Sequence, residues 1–378
     1  MVFLNLVAAF VFFATIVACT NTTGSKTSVE PGVSLTNVKL IARLTGTALA
    51  DENFPSPNNT SEQFDVGGTD LGIFWEMDSS RVGIFFGDTN GNDFVAGKGG
   101  GNGTNWRSNV LAFSDDTNLD DGMIINRMAV DNEGKAREIC AGAKTLPGKY
   151  QTSIPTGAIR AAGIDYVHYM NIHEWAGGNG RWLTNFSSVY SSHDNGHTWK
   201  REEQLTFDST SKFSQVCYAK RDGMVYMIGT LAGRGGAAYL ARFSESQMLN
   251  KETYEYWNDE SNKWLRNNEA AATIIIDGPI GEASLLYHEK YQKWIIAYSY
   301  DAAYDPNVGK KMHAIVYRDA KELNGEWSAL KILTTEKEFP GLYSPYFHPL
   351  KNKGSKIYFT MSLWKPYNVF LMSADISM

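Results

Sequence analysis

From about residue 35 onward, apolar and polar positions follow one another in short runs, and no long stretch repeats every three to four residues. Runs at 38–44, 71–77, 82–88, 110–114, 164–171, 189–192, 224–230, 239–243, 294–300, 314–317 and 356–363 are rich in β-branched and aromatic residues. Each is bounded by Gly, Asp, Asn or Pro, the pattern of strands between tight turns. Only 245–251 reads as helix, and it is little more than one turn long. The pattern predicts an all-β chain. So many strands in one body must dispose of their open edges, and radial repetition into a propeller does so at this size. Blades of about 45–70 residues would allow about five to seven of them. No Pro- or Ser-rich linker interrupts 35–378, which therefore reads as one domain.

One turn is specific enough to name. Ser192-His193-Asp194-Asn195-Gly196-His197-Thr198-Trp199 fits S-x-D-x-G-x-T-W, the Asp-box hairpin of sialidase-type and other glycosidase propellers. Asp194 can accept from turn amides, Gly196 can take a positive φ, and Trp199 can pack beneath the turn. The motif is a folding device and stands away from catalytic centres.

Composition adds one question and removes several classes. Hydrophobic residues are 43% and charged residues 20%, so the chain can bury a large core. The net charge of -6 argues against nucleic acid as a partner. Aromatic residues reach 13% beside 35 glycines, which suits short strands, tight turns and surfaces that stack on flat ligand faces.

Residues 1–18 hold no charge and end at Ala18, before Cys19. Ile16-Val17-Ala18-Cys19 resembles a bacterial lipobox, although the usual basic residue near Met1 is missing. The expectation is a signal peptide over 1–18, lipidation at Cys19, a Thr/Ser-rich tether over 19–34 and the propeller over 35–378. The product would be an exported lipoprotein, anchored to the membrane by its lipid on the outer-membrane or periplasmic side, and monomeric. Cys140 and Cys217 are open to either reading, a disulfide or two buried thiols.

Two carboxylates stand at the edges of glycine-rich strands, Asp70 in Gly67-Gly68-Thr69-Asp70-Leu71-Gly72 and Asp88 in Phe85-Phe86-Gly87-Asp88-Thr89. Small neighbours would let a ligand approach, and apolar flanks would raise a carboxyl pKa. Paired carboxylates in unlike environments are the equipment of glycosidic cleavage. Composition alone equally fits two turn acids that cap hairpins. Glu282, beside Gly281 and Ala283, and Glu174, in His173-Glu174-Trp175, are further candidates, as is His348 in an aromatic, proline-rich stretch. The glycine-dense 97–103 lacks the P-loop pattern and reads as a mobile surface loop, and the acidic run 115–121 reads as a solvated turn before a calcium site. No zinc pattern, GxSxG elbow or HExxH is present, and no metal or cofactor is expected.

In that order the motifs resemble the former domain of unknown function 4185, regarded as glycoside hydrolase family 183. The resemblance runs from about residue 40 to the end. It rests on Gly68-Thr69-Asp70-Leu71-Gly72, Phe86-Gly87-Asp88-Thr89, Asn105-Trp106-Arg107-Ser108-Asn109, Pro155-Thr156-Gly157, Trp182-Leu183-Thr184-Asn185-Phe186-Ser187, Gly281-Glu282 and Tyr346-Phe347-His348-Pro349. It implies a five-bladed β-propeller and an endo-D-arabinanase acting on the α-linked D-arabinan of mycobacterial arabinogalactan and lipoarabinomannan. It further implies Asp70 and Asp88 as the catalytic pair, and by analogy an inverting mechanism with Asp70 as base and Asp88 as acid. Glu282 would support them, and Trp106, Arg107, Trp175 and His348 would line subsites. A non-catalytic glycan-binding lipoprotein and a propeller glycosidase for another sugar are the alternatives.

Overall fold

The computed structural model describes residues 32–78, 80–141, 151–178, 180–301 and 313–378. The expected signal peptide, Cys19 and nearly all of the tether lie outside these residues. Gly32–Met378 forms one unit. Its strands make five antiparallel sheets, the blades of a propeller.

Strand β1 (Ser34–Arg43) belongs to the last blade. Blade one holds β2 (Leu71–Glu76), β3 (Val82–Phe86), β4 (Val110–Ser114) and β5 (Arg127–Met128). Blade two holds β6 (Thr152–Ala161), β7 (Ile164–Glu174), β8 (Leu183–Ser192) and β9 (Lys200–Asp208). Blade three holds β10 (Gln215–Arg221), β11 (Met224–Thr230), β12 (Gly236–Ser244), β13 (Glu255–Asn258) and β14 (Lys263–Arg266), and β15 (Ile274–Ile280) also pairs with β12. Blade four holds β16 (Ala283–His288), β17 (Lys293–Asp301), β18 (His313–Ala320) and β19 (Lys331–Thr335). Blade five holds β20 (Leu342–Phe347), β21 (Lys356–Leu363), β22 (Asn368–Ser377) and, outermost, β1. The inner strands β2, β6, β10, β16 and β20 touch in succession, and β20 returns to β2, so the ring closes.

Closure pairs the first strand with the last, Ser34 opposite Ser377 through Arg43 opposite Phe370. Arg43 is fully buried at this joint. Its guanidinium is held by Glu52, with Nε–Oε2 at 2.8 Å, and donates to Asn368 Oδ1 at 2.6 Å and to the Thr45 carbonyl at 3.2 Å. A buried cation is tolerated only with such complete pairing.

Between blades the core is aromatic. Trp75 faces Gly83 across the β2–β3 pair, and a Cβ on Gly83 would lie 1.9 Å from the Trp75 ring. The missing side chain thus makes room for the indole. That ring stacks on Phe85 at 5.3 Å and donates from Nε1 to Asp165 of blade two at 3.0 Å. The Asp box forms as the sequence indicates: Asp194 accepts from the Thr198 amide at 2.8 Å and from its hydroxyl at 2.6 Å, and Gly196 has φ of 79°. Trp199 reaches across the seam to Phe85, ring centres 5.3 Å apart.

Several local expectations change. Residues 245–251 do not form the expected helix but fall into two 3-10 turns, Glu245–Gln247 and Lys251–Thr253, on either side of an unwound link. An α-helix appears instead at Thr60–Phe64, capped by Asn59. Cys140 and Cys217 are both free and buried. In the acidic run, Asp116 accepts from the Asn118 and Ile124 amides and Asp120 pairs with Lys356 at 2.6 Å. Among the described residues no group of acidic, His or Cys side chains is arranged to hold a metal.

Because the Trp75 indole fills the space above Gly83, Gly83→Ala should destabilise the fold by about 1–3 kcal/mol through overpacking. Denaturant unfolding followed by tryptophan fluorescence will measure this as a lowered midpoint at unchanged slope.

Candidate active site

Antiparallel pairing brings the two acids together. Asp70 immediately precedes β2 and Asp88 lies just beyond β3, and Leu71 pairs with Phe86, so both acids stand at the same end of blade one. The Gly87 amide donates to the Asp70 carbonyl at 3.1 Å. A Cβ on Gly87 would fall 2.3 Å from Asp70 Oδ1, so only glycine leaves the carboxyl its place. Beyond Asp70 the backbone takes two positive φ values, 69° at Leu71 and 90° at Gly72, and the register slips between Leu71 and Ile73. Such a bulge turns the preceding side chain out of the sheet plane. Strain of this kind, in a non-glycine residue, persists only where the surroundings enforce it. Here the neighbouring blade does so: the Leu71 amide donates to Ser362 Oγ at 2.9 Å, and Thr360 Oγ1 donates to the Gly72 carbonyl at 2.8 Å.

The acids open into a cleft of about 640 Å³ on the propeller face. That volume suits a small ligand or a few sugar rings. Tyr343 donates to Asp70 Oδ2 at 3.0 Å, and Asp70 Oδ1 is buried. Burial, reinforced by the charge of Asp88, raises the Asp70 pKa to about 8 even though Tyr343 opposes the shift. Asp88 Oδ1 accepts from Thr152 Oγ1 at 2.5 Å and from Trp106 Nε1 at 3.1 Å. Burial outweighs both and raises Asp88 to about 7. Both carboxyls therefore keep their protons to higher pH than an exposed aspartate does.

Glu282, at the start of blade four, is bound by Arg234, with Nη2–Oε1 at 2.7 Å and Nε to both oxygens at 3.1 Å. Burial alone would raise Glu282, but the charge and hydrogen bonds of Arg234 hold it below the usual range. The same guanidinium lies 5.3 Å from the Tyr343 ring centre, behind the hydroxyl that serves Asp70.

Of the residues singled out from sequence, Asp70, Asp88, Glu282, Trp106 and Trp175 share this cleft. The two tryptophans are 42% and 43% exposed. Two others lie elsewhere. Arg107 is buried and turned toward Asp65, donating to its carbonyl at 2.7 Å and to its carboxylate at 3.4 Å. His348 is buried against Phe74, ring centres 4.9 Å apart, and neither ring nitrogen has a partner among the described residues. Tyr343 lies on the cleft wall near the start of β20, whereas His348 follows its far end and is not among the residues that line the cleft. Glu174 is exposed at the end of β7. The 97–103 segment differs from the expected mobile loop: the Gly97 amide donates to the Lys365 carbonyl at 2.8 Å, and Gly100 and Gly101 line the cleft.

Sequence reading passed over Tyr343, Arg234, Trp182, Trp364 and Tyr367, all on the cleft wall. A lone arginine among Ala232-Gly233-Arg234-Gly235-Gly236 and the aromatic turn Trp364-Lys365-Pro366-Tyr367 were the available signals.

Among curated proteins the chain is 28% identical over 323 residues to Notoamide biosynthesis cluster protein J of Aspergillus sp. (strain MF297-2), covering 81% of this chain and 82% of the relative. Among solved structures it resembles a candidate hydrolase from Bacteroides ovatus, with a TM-score of 0.56 and 10% identity over 82% of this chain and 86% of the other. It also resembles the alpha-L-arabinofuranosidase of Podospora anserina in complex with cellotriose, with a TM-score of 0.50 and 10% identity over 91% and 98% of the two chains. At such identities the structural likeness is one of fold. Over residues 55–373 the sequence matches the family described as Domain of unknown function (DUF4185), and to that family the chain belongs.

Proposed function

We propose that this protein is an endo-acting glycoside hydrolase that cleaves α-D-arabinofuranosidic linkages within D-arabinan, such as that of mycobacterial arabinogalactan and lipoarabinomannan. The observation that carries the reading is the Asp70–Asp88 pair, two half-buried carboxyls at the same end of one hairpin, both with pKa raised by desolvation, in a cleft walled by tryptophan. Further support comes from the motif resemblance to glycoside hydrolase family 183 and from the fold shared with an arabinofuranosidase. Exported, with a lipid on Cys19, the enzyme would meet polymeric substrate at the cell surface.

Asp88 Oδ1 accepts two hydrogen bonds, which favour its ionised form, and on that ground we assign Asp70 as the proton holder and Asp88 as the ionised partner, the reverse of the roles suggested by analogy. Asp70 then protonates the departing glycosidic oxygen as the bond to the anomeric carbon breaks. Asp88 takes a proton from the water that attacks the opposite face, and the configuration inverts. Trp106 and Thr152 both hold Oδ1 of Asp88, which leaves Oδ2 for the water. Arg234 and Glu282 neutralise each other, so the cleft suits an uncharged polymer.

Incubation with mycobacterial arabinogalactan should release oligosaccharides, and Asp70→Asn or Asp88→Asn should slow release by about 10²–10⁴-fold. Undiminished cleavage by either variant removes that residue from the pair. Binding without release favours the glycan-binding alternative, and cleavage of another polymer in its place favours the other glycosidase.

For the wild type, kcat/KM should trace a narrow bell. It falls as Asp88 gains its proton below about pH 7 and as Asp70 loses its own above about pH 8. Rates measured from pH 5 to 10 test both limbs.

Linkage gives a separate check. A carboxyl whose pKa is raised on folding contributes stability that is complete below its unfolded value and is lost as pH rises through its folded value. Asp70→Asn cannot ionise. Its melting temperature should therefore pull ahead of the wild type above about pH 4, with the gap levelling off beyond pH 8, the folded value being about 8. A constant difference across that range would contradict the burial of Asp70.

A further inference from the structure

We infer that Trp364 is a stacking platform for an uncharged sugar ring, in a subsite on the blade-five side of the cleft. The inference rests on the glycan reading above and deepens it.

Trp364 is 52% exposed, a costly position for an indole, yet it is tightly braced. Its amide donates to the Gly341 carbonyl at 2.8 Å. The backbone of Gly99 lies against the ring, so that a Cβ there would come within 2.6 Å of indole Nε1, and Gly99 holds φ at 77°. Gly100 stands in the same way against the next ring, since its Cβ would reach 2.7 Å from Tyr367. Tyr367 in turn packs edge-on to Trp364 at 5.7 Å. The glycine segment is itself tied down: Asn102 donates to the Gly99 carbonyl at 3.0 Å and accepts from the Val95 amide at 2.8 Å. Glycine backbone and Tyr367 thus fix the indole, which also lines the cleft that holds Asp70 and Asp88. A rigid apolar face beside polar groups matches the C–H face of a sugar ring.

The ring order of the blades gives this platform a counterpart. Blades five and two flank blade one, which carries both acids. Blade two presents Trp175 beyond the end of β7, braced edge-on by Trp182 at 5.2 Å. Sugar units therefore find an aromatic wall on each side of the scissile linkage, the arrangement that internal cleavage of a chain requires.

The test uses D-arabinan oligosaccharides prepared from mycobacterial arabinogalactan. Binding is measured by calorimetry in an Asp88→Asn background, and cleavage is measured with Asp88 intact. Trp364→Ala should weaken binding about tenfold or more, equivalent to about 1.4 kcal/mol, raise KM and lengthen the products. Trp364→Tyr should restore most of the loss, and Trp364→Ala should still unfold in one cooperative transition, with a midpoint lowered only modestly because the ring is half exposed. If Trp364→Ala binds and cleaves as the wild type does, the platform is overturned and the hydrolase reading stands. If wild type binds without cleaving and Trp364→Ala loses the binding, the platform stands and the hydrolase reading falls. If wild type neither binds nor cleaves, both fall.

Discussion

The structure turns on the seam between blade five and blade one. The ring of five blades is closed by laying the first strand against the last within blade five, and blade five then packs on blade one. The same seam sets the geometry of Asp70. Ser362, Thr360 and Tyr343, all from blade five, hold the strained Leu71–Gly72 bulge and the carboxyl itself. Even the closure cation takes part, since Arg43 grips Asn368, next to Tyr367 on the cleft wall, whose carbonyl accepts from the Thr69 amide at 2.8 Å. Fold closure and acid placement are therefore one constraint.

The other acid is governed from the opposite side. Thr152 of blade two bonds to Asp88, so each carboxyl of blade one is oriented by a different neighbouring blade. Two acids on one hairpin thereby acquire unlike surroundings. Burial favours the neutral form of both, and the charge of one discourages the ionisation of the other, so the pair keeps a proton that isolated aspartates would have lost. Arg234 and Glu282 contribute no net charge to this balance, yet their contact stiffens the wall behind Tyr343.

Much of this was legible in the sequence, and the exceptions share a cause. Short β-branched and aromatic runs between turn residues exposed the strands, and the Asp box exposed one hairpin residue by residue. Run lengths alone left the blade count open, because blade three carries added strands that they do not reveal, and the motif resemblance supplied the five blades that the fold has. Asp70 and Asp88 were visible because their glycines are sequence neighbours. Tyr343 was not, as it stands 273 residues away from the carboxyl it serves. His348 has the right chemistry by type, but the direction of β20 carries it away from the cleft. Gly97–Gly103 looked like slack because its purpose, bracing Trp364 and Tyr367, appears only when blade five lies beside it.

The distance along the chain between Asp70 and Tyr343 also bears on biosynthesis. Domains emerge from the ribosome from the N-terminus, and contacts between remote segments form late. Blade one can pair its hairpin early, but the bulge beside Asp70 has no partner until blade five is made and the ring is zipped. A nascent or truncated chain thus carries both acids in relaxed, solvated loops where neither keeps a proton, and the cleft arrangement of the pair arrives only with the final strands.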